Sequence, residues 1–143
     1  MRAAETESPD VFTVSASVAD HMSRGVLTVR GDSSLGVAMD MVLTSGHRHV
    51  VVVDSHGAFE GVVTAEVITT SWMTRLGHRR QLVRDLITAP ALHLSPEASM
   101  HTAASVMMSY CVDAVGVLEP DGRLVGVLTW ADIVAMVAER ERA

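Results

Sequence analysis

The chain has 143 residues and a formal net charge of −6 at pH 7, from 17 acidic and 11 basic side chains. That length suits one compact domain or two small subdomains sharing a core. The negative balance and the lack of any basic run interleaved with aromatics argue against a nucleic-acid partner, and no apolar run approaches the roughly 18 residues of a membrane span.

Hydrophobic residues make up 48% of the chain but aromatics only 3%, so the core is expected to be aliphatic and methionine-rich. There is no lysine, which excludes a P-loop lysine and any Schiff-base lysine. No GxSxG, HExxH or GxGxxG string occurs. Cys111 is the only cysteine, leaving no internal disulfide and no thiolate metal cluster. The opening "MRAAETESPD" carries acids and no apolar stretch of the kind a secretory signal needs, so a cytoplasmic location is expected.

Residues 1–15 read as an acidic tail. "SVADHM" (Ser17–Met22) reads as a short helix and "GVLTV" (Gly25–Val29) as a short strand. A helix is predicted from about Ser33 to Ser45. "HVVVVD" (His49–Asp54) is a continuous β-branched run of the kind expected for a strand covered on both faces. Ser55–Gly57 turns the chain and Phe59–Val63 returns it as a partner strand. A second helix is predicted from Thr64 to about Leu76, stopped by Gly77. Residues 78–90 connect the halves, with a short helix near Gln81–Leu86.

Ala91–Leu94 is the next predicted strand, and Ser95 and Pro96 suit the N-cap and first position of a helix. Met100, Ala103, Ala104, Met107 and Met108 form an apolar stripe at helical spacing, which Cys111 continues as an expected buried side chain. Asp113–Leu118 is a strand, Glu119–Gly122 a turn, and Arg123–Leu128 the returning strand. Trp130 to about Arg142 closes the chain as a helix with Ile133, Val134 and Val137 on one face. Trp72 and Trp130 read as helix-packing or dimer anchors.

The second half repeats the first. "GVVTAEV" (Gly61–Val67) and "GVLTWAD" (Gly126–Asp132) lie 65 residues apart. The same offset pairs Asp20 with Asp85, Ser34 with Ser99, Ala38 with Ala103, Val50 with Val115 and Ile68 with Ile133, with no gap. The fold class read from this is α/β (α+β), as tandem β-α-β-β-α repeats about a pseudo-twofold axis. The domains are a tail at 1–15, repeats at 16–77 and 91–143, and a linker at 78–90. One unit of about 60 residues has little core of its own, and two can bury their sheet faces together.

The order of these elements, with the apolar strand, D-x-x-G turn and G-V-V-T return, resembles the cystathionine β-synthase (CBS) domain, here as a tandem pair or Bateman module. The resemblance covers roughly residues 17–140. It implies a non-enzymatic regulatory module with a cleft where the halves meet, occupied by an adenosyl ligand such as AMP, ADP, ATP or S-adenosylmethionine, with no cofactor required. It also implies a homodimer that signals to an effector protein.

In this family the phrase G-h-x-[ST]-x-x-[DN] closes the returning strand, its acid accepting from ribose hydroxyls. The second repeat matches through Gly126, Thr129 and Asp132, whereas Val67 holds the acidic position in the first, with Glu66 one residue early. The first cleft is therefore expected to bind an adenosyl ligand poorly. Thr129 and Asp132 also stand at N-cap and N3 spacing, so a capping pair without ligand is the alternative.

The resemblance further nominates Thr88, Ala91 and Leu92 for the base and ribose in the second cleft, and Gly116 for close approach of a base, with simple packing as the alternative. Arg48, in "HRH" (His47–His49), is nominated for phosphate. It is otherwise a solvated residue or the partner of Asp113, which occupies the matching position. His47 and His49 share a strand face but lack a third ligand, so no metal is expected. A ligand-free homodimer used for protein interaction is the competing function.

Overall fold

A computed structural model describes residues 16–74, 81–87 and 91–142. Helix α1 (Val18–His21) precedes strand β1 (Leu27–Arg30), helix α2 (Leu35–Ser45), strands β2 (His49–Val53) and β3 (Phe59–Thr64), and helix α3 (Ala65–Thr74). A 3-10 turn at Val83–Leu86 leads into β4 (His93–Leu94), α4 (Met100–Tyr110), β5 (Ala114–Leu118), β6 (Leu124–Thr129) and α5 (Trp130–Arg142).

The two three-stranded sheets have the orders β1-β2-β3 and β4-β5-β6. In each, the first pairing is parallel and the second antiparallel. The 65-residue offset survives at the level of hydrogen bonding. Thr28 pairs with Val51 as His93 does with Gly116, and a bulge at Val52/Val53 recurs at Val117/Leu118. Ser34 and Ser99 cap α2 and α4 through the same bond, accepting from the N–H three residues on.

The continuous valines of β2 are explained by burial on both faces. Val50 and Val52 enter a core with Leu35, Ala38 and Ile68, on the side of α2 and α3. Val51 turns the other way and packs with Ala114 and Val127 between the two sheets. Val50, Val51 and Val52 are all fully buried. In the second repeat Val115 and Val117 join Met100, Met107, Leu128 and Ile133. The layers therefore run helices, sheet, sheet, helices, with strand alternation assigning each side chain to a layer.

The short helices are exchanged between repeats. Val18 and Met22 of α1 lie in the core of the second repeat, whereas Val83 and Leu86 lie in that of the first. Backbone bonds fix both arrangements: Val18 N–H donates to Ala98 O (2.8 Å), and Val83 N–H donates to Ser33 O (2.9 Å).

This exchange corrects the expected start of α4. Ser95 and Pro96 form a turn rather than a helix N-terminus, because the Pro96 carbonyl receives Ala19 N–H (2.9 Å) and the helix waits until Met100. The methionine stripe is also narrower than expected. Met100, Ala103 and Met107 are fully buried, but Met108 is 69% exposed. On α5, Ile133 and Met136 face the core, and Val134, expected beside Ile133, is exposed.

Cys111 is exposed rather than buried. It caps α4 in the left-handed region (φ 55°), the position that Gly46 (φ 73°) fills after α2. A left-handed cap turns the chain off the helix axis, and its side chain leaves the apolar stripe with it. The expected ends of α3 at Leu76 and Gly77 fall outside the described residues, as does the tail at 1–15.

Candidate functional site

Two cavities flank the pseudo-twofold axis, and each is built from both repeats. The first, of about 680 Å³, joins Thr64 and Val67 of the first repeat to Met107, Cys111 and Asp113 of the second. The second, of about 590 Å³, joins Thr129, Trp130 and Ala131 to Val42, His47, Arg48 and His49. Thr64, Asp113 and Trp130 line both and form a common wall.

At the turn into α5, Thr129 and Asp132 make a reciprocal cap. Thr129 N–H donates to Asp132 Oδ2 (2.9 Å), and Asp132 N–H donates to Thr129 Oγ1 (3.3 Å). The Thr129 hydroxyl donates to the same Oδ2 at 3.2 Å. Both bonds to the carboxylate use Oδ2, so among the described residues Oδ1 carries no hydrogen bond. A carboxylate has about four lone-pair sites, and this cap leaves acceptor capacity to spare.

The first repeat makes half of the arrangement. Val67 N–H donates to Thr64 Oγ1 (3.1 Å), but Val67 has no carboxylate to return a bond. Glu66 lines the second cavity, across the axis from the Thr64–Val67 turn's own cleft. A one-residue shift on a helix rotates a side chain by about 100°, which accounts for this placement.

Arg48 is exposed and lines the second cavity with Thr129, and it forms no ion pair among the described residues. Asp113 pairs instead with His49, whose Nε2 lies 3.5 Å from its Oδ2. That separation is a close approach without hydrogen-bond geometry, since the same Nε2 is buried with no hydrogen-bond partner. His47 Nε2 lies 3.3 Å from the Gly25 carbonyl and donates to it in the Nε2–H tautomer.

The remaining nominated residues are placed elsewhere. Leu92 lines the first cavity, not that of Thr129, and Asp132 itself lines neither. Ala91, just before it, is exposed, and Thr88 lies outside the described residues. The space beside Gly116 is filled by a phenyl ring: a Cβ there would sit 2.6 Å from Phe59 Cζ. The close approach this glycine permits is thus between the sheets. Trp130, read from sequence as a packing or dimer anchor, is half-buried and faces both cavities.

The exchange of short helices explains these placements. Ile87 precedes β4 but abuts β3 at Gly61, and Met22 precedes β1 but abuts β6 at Gly126. The segment leading into each repeat therefore borders the other repeat's G-x-x-T turn. A fixed offset pairs equivalent residues but does not say which repeat covers which cleft.

The CBS domain family model matches residues 18–70 and 83–139, most of the described fold. The chain belongs to the CBS domain family. The structure is similar to the CBS domain pair of protein MJ0100 in complex with 5′-methylthioadenosine and S-adenosyl-L-methionine, with a TM-score of 0.75 at 21% identity, covering 89% of this chain and 99% of that one. It is also similar to CBSX2 in complex with AMP, with a TM-score of 0.73 at 21% identity over 88% of this chain and 98% of that one. Both are CBS pairs of the mixed α+β architecture seen here. Among curated relatives, a homoserine O-acetyltransferase of Methanohalophilus mahii is 28% identical over 85% of this chain. The chain spans only about a quarter (24%) of that protein's length. Among the described residues no helix is long and apolar enough to cross a membrane.

Proposed function

We propose that this CBS pair is a non-enzymatic regulatory module that binds an adenosyl ligand, AMP, ADP, ATP or S-adenosylmethionine, in the second cavity. The observation that carries the reading is the asymmetry at the helix-opening turns. Asp132, the residue after the Thr129–Ala131 stretch that lines the cavity containing Arg48, keeps an acceptor oxygen with no hydrogen bond among the described residues, and its counterpart Val67 has none. A carboxylate accepts from both hydroxyls of a cis-diol, and a guanidinium fork suits phosphate. The ligands bound by the two similar CBS pairs, AMP in one and adenosyl thioethers and sulfonium in the other, support the class of ligand.

Binding acts by favouring one arrangement of the two repeats over another, which a partner protein reads. The protein works in the cytoplasm as a homodimer. Leu43, Met73, Met108 and Val134, on α2, α3, α4 and α5, are each more than 60% exposed, apolar side chains that a second copy would cover. Calorimetry with AMP, ATP and S-adenosylmethionine at about millimolar concentration tests the reading, and absence of heat with all of them rules it out.

A second reading is favoured by the cap itself. Since Asp132 Oδ2 already satisfies Thr129, the carboxylate has a structural role without any ligand. On that reading the protein is a ligand-free homodimer used for protein interaction, and the calorimetry is silent.

A further inference from the structure

The first cavity lacks both features that suit the second to a nucleotide. Val67 stands where an acid would receive a diol, and no basic side chain is among the described residues that line it. Among the described residues its one charged lining group is the Asp113 carboxylate. The rest of the described wall mixes polar groups, among them the Thr64 hydroxyl, with rings from Phe59, Tyr110 and Trp130 beside Leu92 and Met107. Its volume of about 680 Å³ falls within the range usual for small-molecule sites.

Charge decides what such a wall accepts. Asp113 is neighboured by the His49 ring, which meets it from the first repeat. Its side chain is still 61% exposed and so remains available to a ligand. A carboxylate with no basic neighbour on the described wall repels phosphate and attracts a cation. Aromatic faces add to it, since an ammonium is drawn to the negative face of a ring. Phenyl, phenol and indole side chains are all among the residues that line this cavity.

We propose that the first cavity binds a small, largely apolar monocation, an amine or quaternary ammonium on an aromatic or alkyl body, with neither phosphate nor vicinal diol. The assignment is independent of nucleotide binding in the second cavity, which is measured separately with AMP.

Three probes with one skeleton isolate the charge: phenethylamine (cation), 2-phenylethanol (neutral) and phenylacetate (anion). Each is titrated into the isotope-labelled full chain and followed by two-dimensional NMR. Phenethylamine is expected to bind about tenfold or more tightly than phenylacetate, equivalent to roughly 1.4 kcal/mol, with shifts around Leu92, Met107 and Trp130. Asp113→Asn is expected to erase the difference between the probes, and Val67→Trp, which intrudes on the first cavity, to weaken phenethylamine binding. Phenylacetate binding as tightly as phenethylamine overturns the proposal. So does phenethylamine binding that neither variant weakens, or none detectable at about 10 mM. Loss of the AMP response alone leaves it standing, since that result concerns the other cavity.

Discussion

Replacing Asp132 by alanine separates the cap from the ligand site. In the free protein the variant loses both bonds that the carboxylate accepts, from the Thr129 N–H and the Thr129 hydroxyl, and keeps Thr129 Oγ1 as acceptor for the backbone N–H of residue 132. Such a loss costs about 1 kcal/mol. The first repeat shows that it is tolerable, because α3 forms behind Thr64 with no carboxylate at all. The unliganded melting point should therefore fall by roughly 3 °C. Ligand at a hundred times its dissociation constant stabilises the wild type by about 2.7 kcal/mol. Two charge-assisted bonds to a diol, at about 1.5 kcal/mol or more each, are lost with the carboxylate. Affinity should then fall by more than about a hundredfold, and stabilisation at the same ligand concentration to under roughly 0.4 kcal/mol. Differential scanning fluorimetry with and without ATP or AMP reads both numbers. A variant whose ligand-induced shift equals that of the wild type refutes the diol role, whatever happens to its unliganded melting point.

Arg48→Ala should weaken ATP by about tenfold while changing S-adenosylmethionine far less, because only ATP offers phosphate to the fork; calorimetry showing equal losses would count against that orientation. Cys111→Gly should raise stability by about 1 kcal/mol in urea melts, since a side chain at φ 55° carries a left-handed penalty that glycine escapes; a destabilised variant would contradict it. Gly116→Val should lower stability by about 2 kcal/mol through overpacking against Phe59, and adding Phe59→Ala should recover part of the loss, a coupling visible in a double-mutant cycle. The Asp54 carboxyl is held below its usual value of 3.8, chiefly by the Ala58 N–H and then the His56 N–H. The stability it contributes is present above 3.8 and is lost as the pH falls through the lowered value. Acid melts of Asp54→Asn should accordingly lose less stability over that window than those of the wild type, and parallel curves would argue against the carboxylate as the source.

The parts of the molecule legible in the sequence are those fixed by local pattern. The unbroken valines of β2 announced burial on both faces, and Val50 and Val51 enter opposite layers. Ser34 and Ser99, paired by the repeat, cap equivalent helices. What stayed hidden depends on partners distant in sequence. Ser95-Pro96 has the chemistry of a helix start, but α1 takes the Pro96 carbonyl, and no local signal announces that a four-residue helix from one repeat will dock on the other. Met108 and Val134 have helical spacing appropriate to a core, yet they lie at the margin of their stripes and face outward. The Thr129–Asp132 cap was legible from its spacing, whereas the wall that brings Arg48 opposite Thr129 was not.

That assembly has a consequence for how duplicated clefts diverge. Because each cavity takes its G-x-x-T turn from one repeat and its opposing wall from the other, a substitution in either repeat alters the facing cleft as well as its own. Arg48 belongs to the first repeat and serves the second cavity, and Asp113 at the equivalent position reaches both. On the two proposals above, this single charge difference at one pair of matched positions would make one cavity more receptive to anions and the other to cations. The common wall of Thr64, Asp113 and Trp130 then couples them: a cation bound beside Asp113 offsets a charge that opposes phosphate next door. Saturating the first cavity with phenethylamine should tighten ATP binding in the second, and by reciprocity ATP should tighten phenethylamine by the same factor. Calorimetric titration of each ligand in the presence of the other measures both factors. Equal affinities with and without the second ligand would show that the wall is shared in space but not in energy.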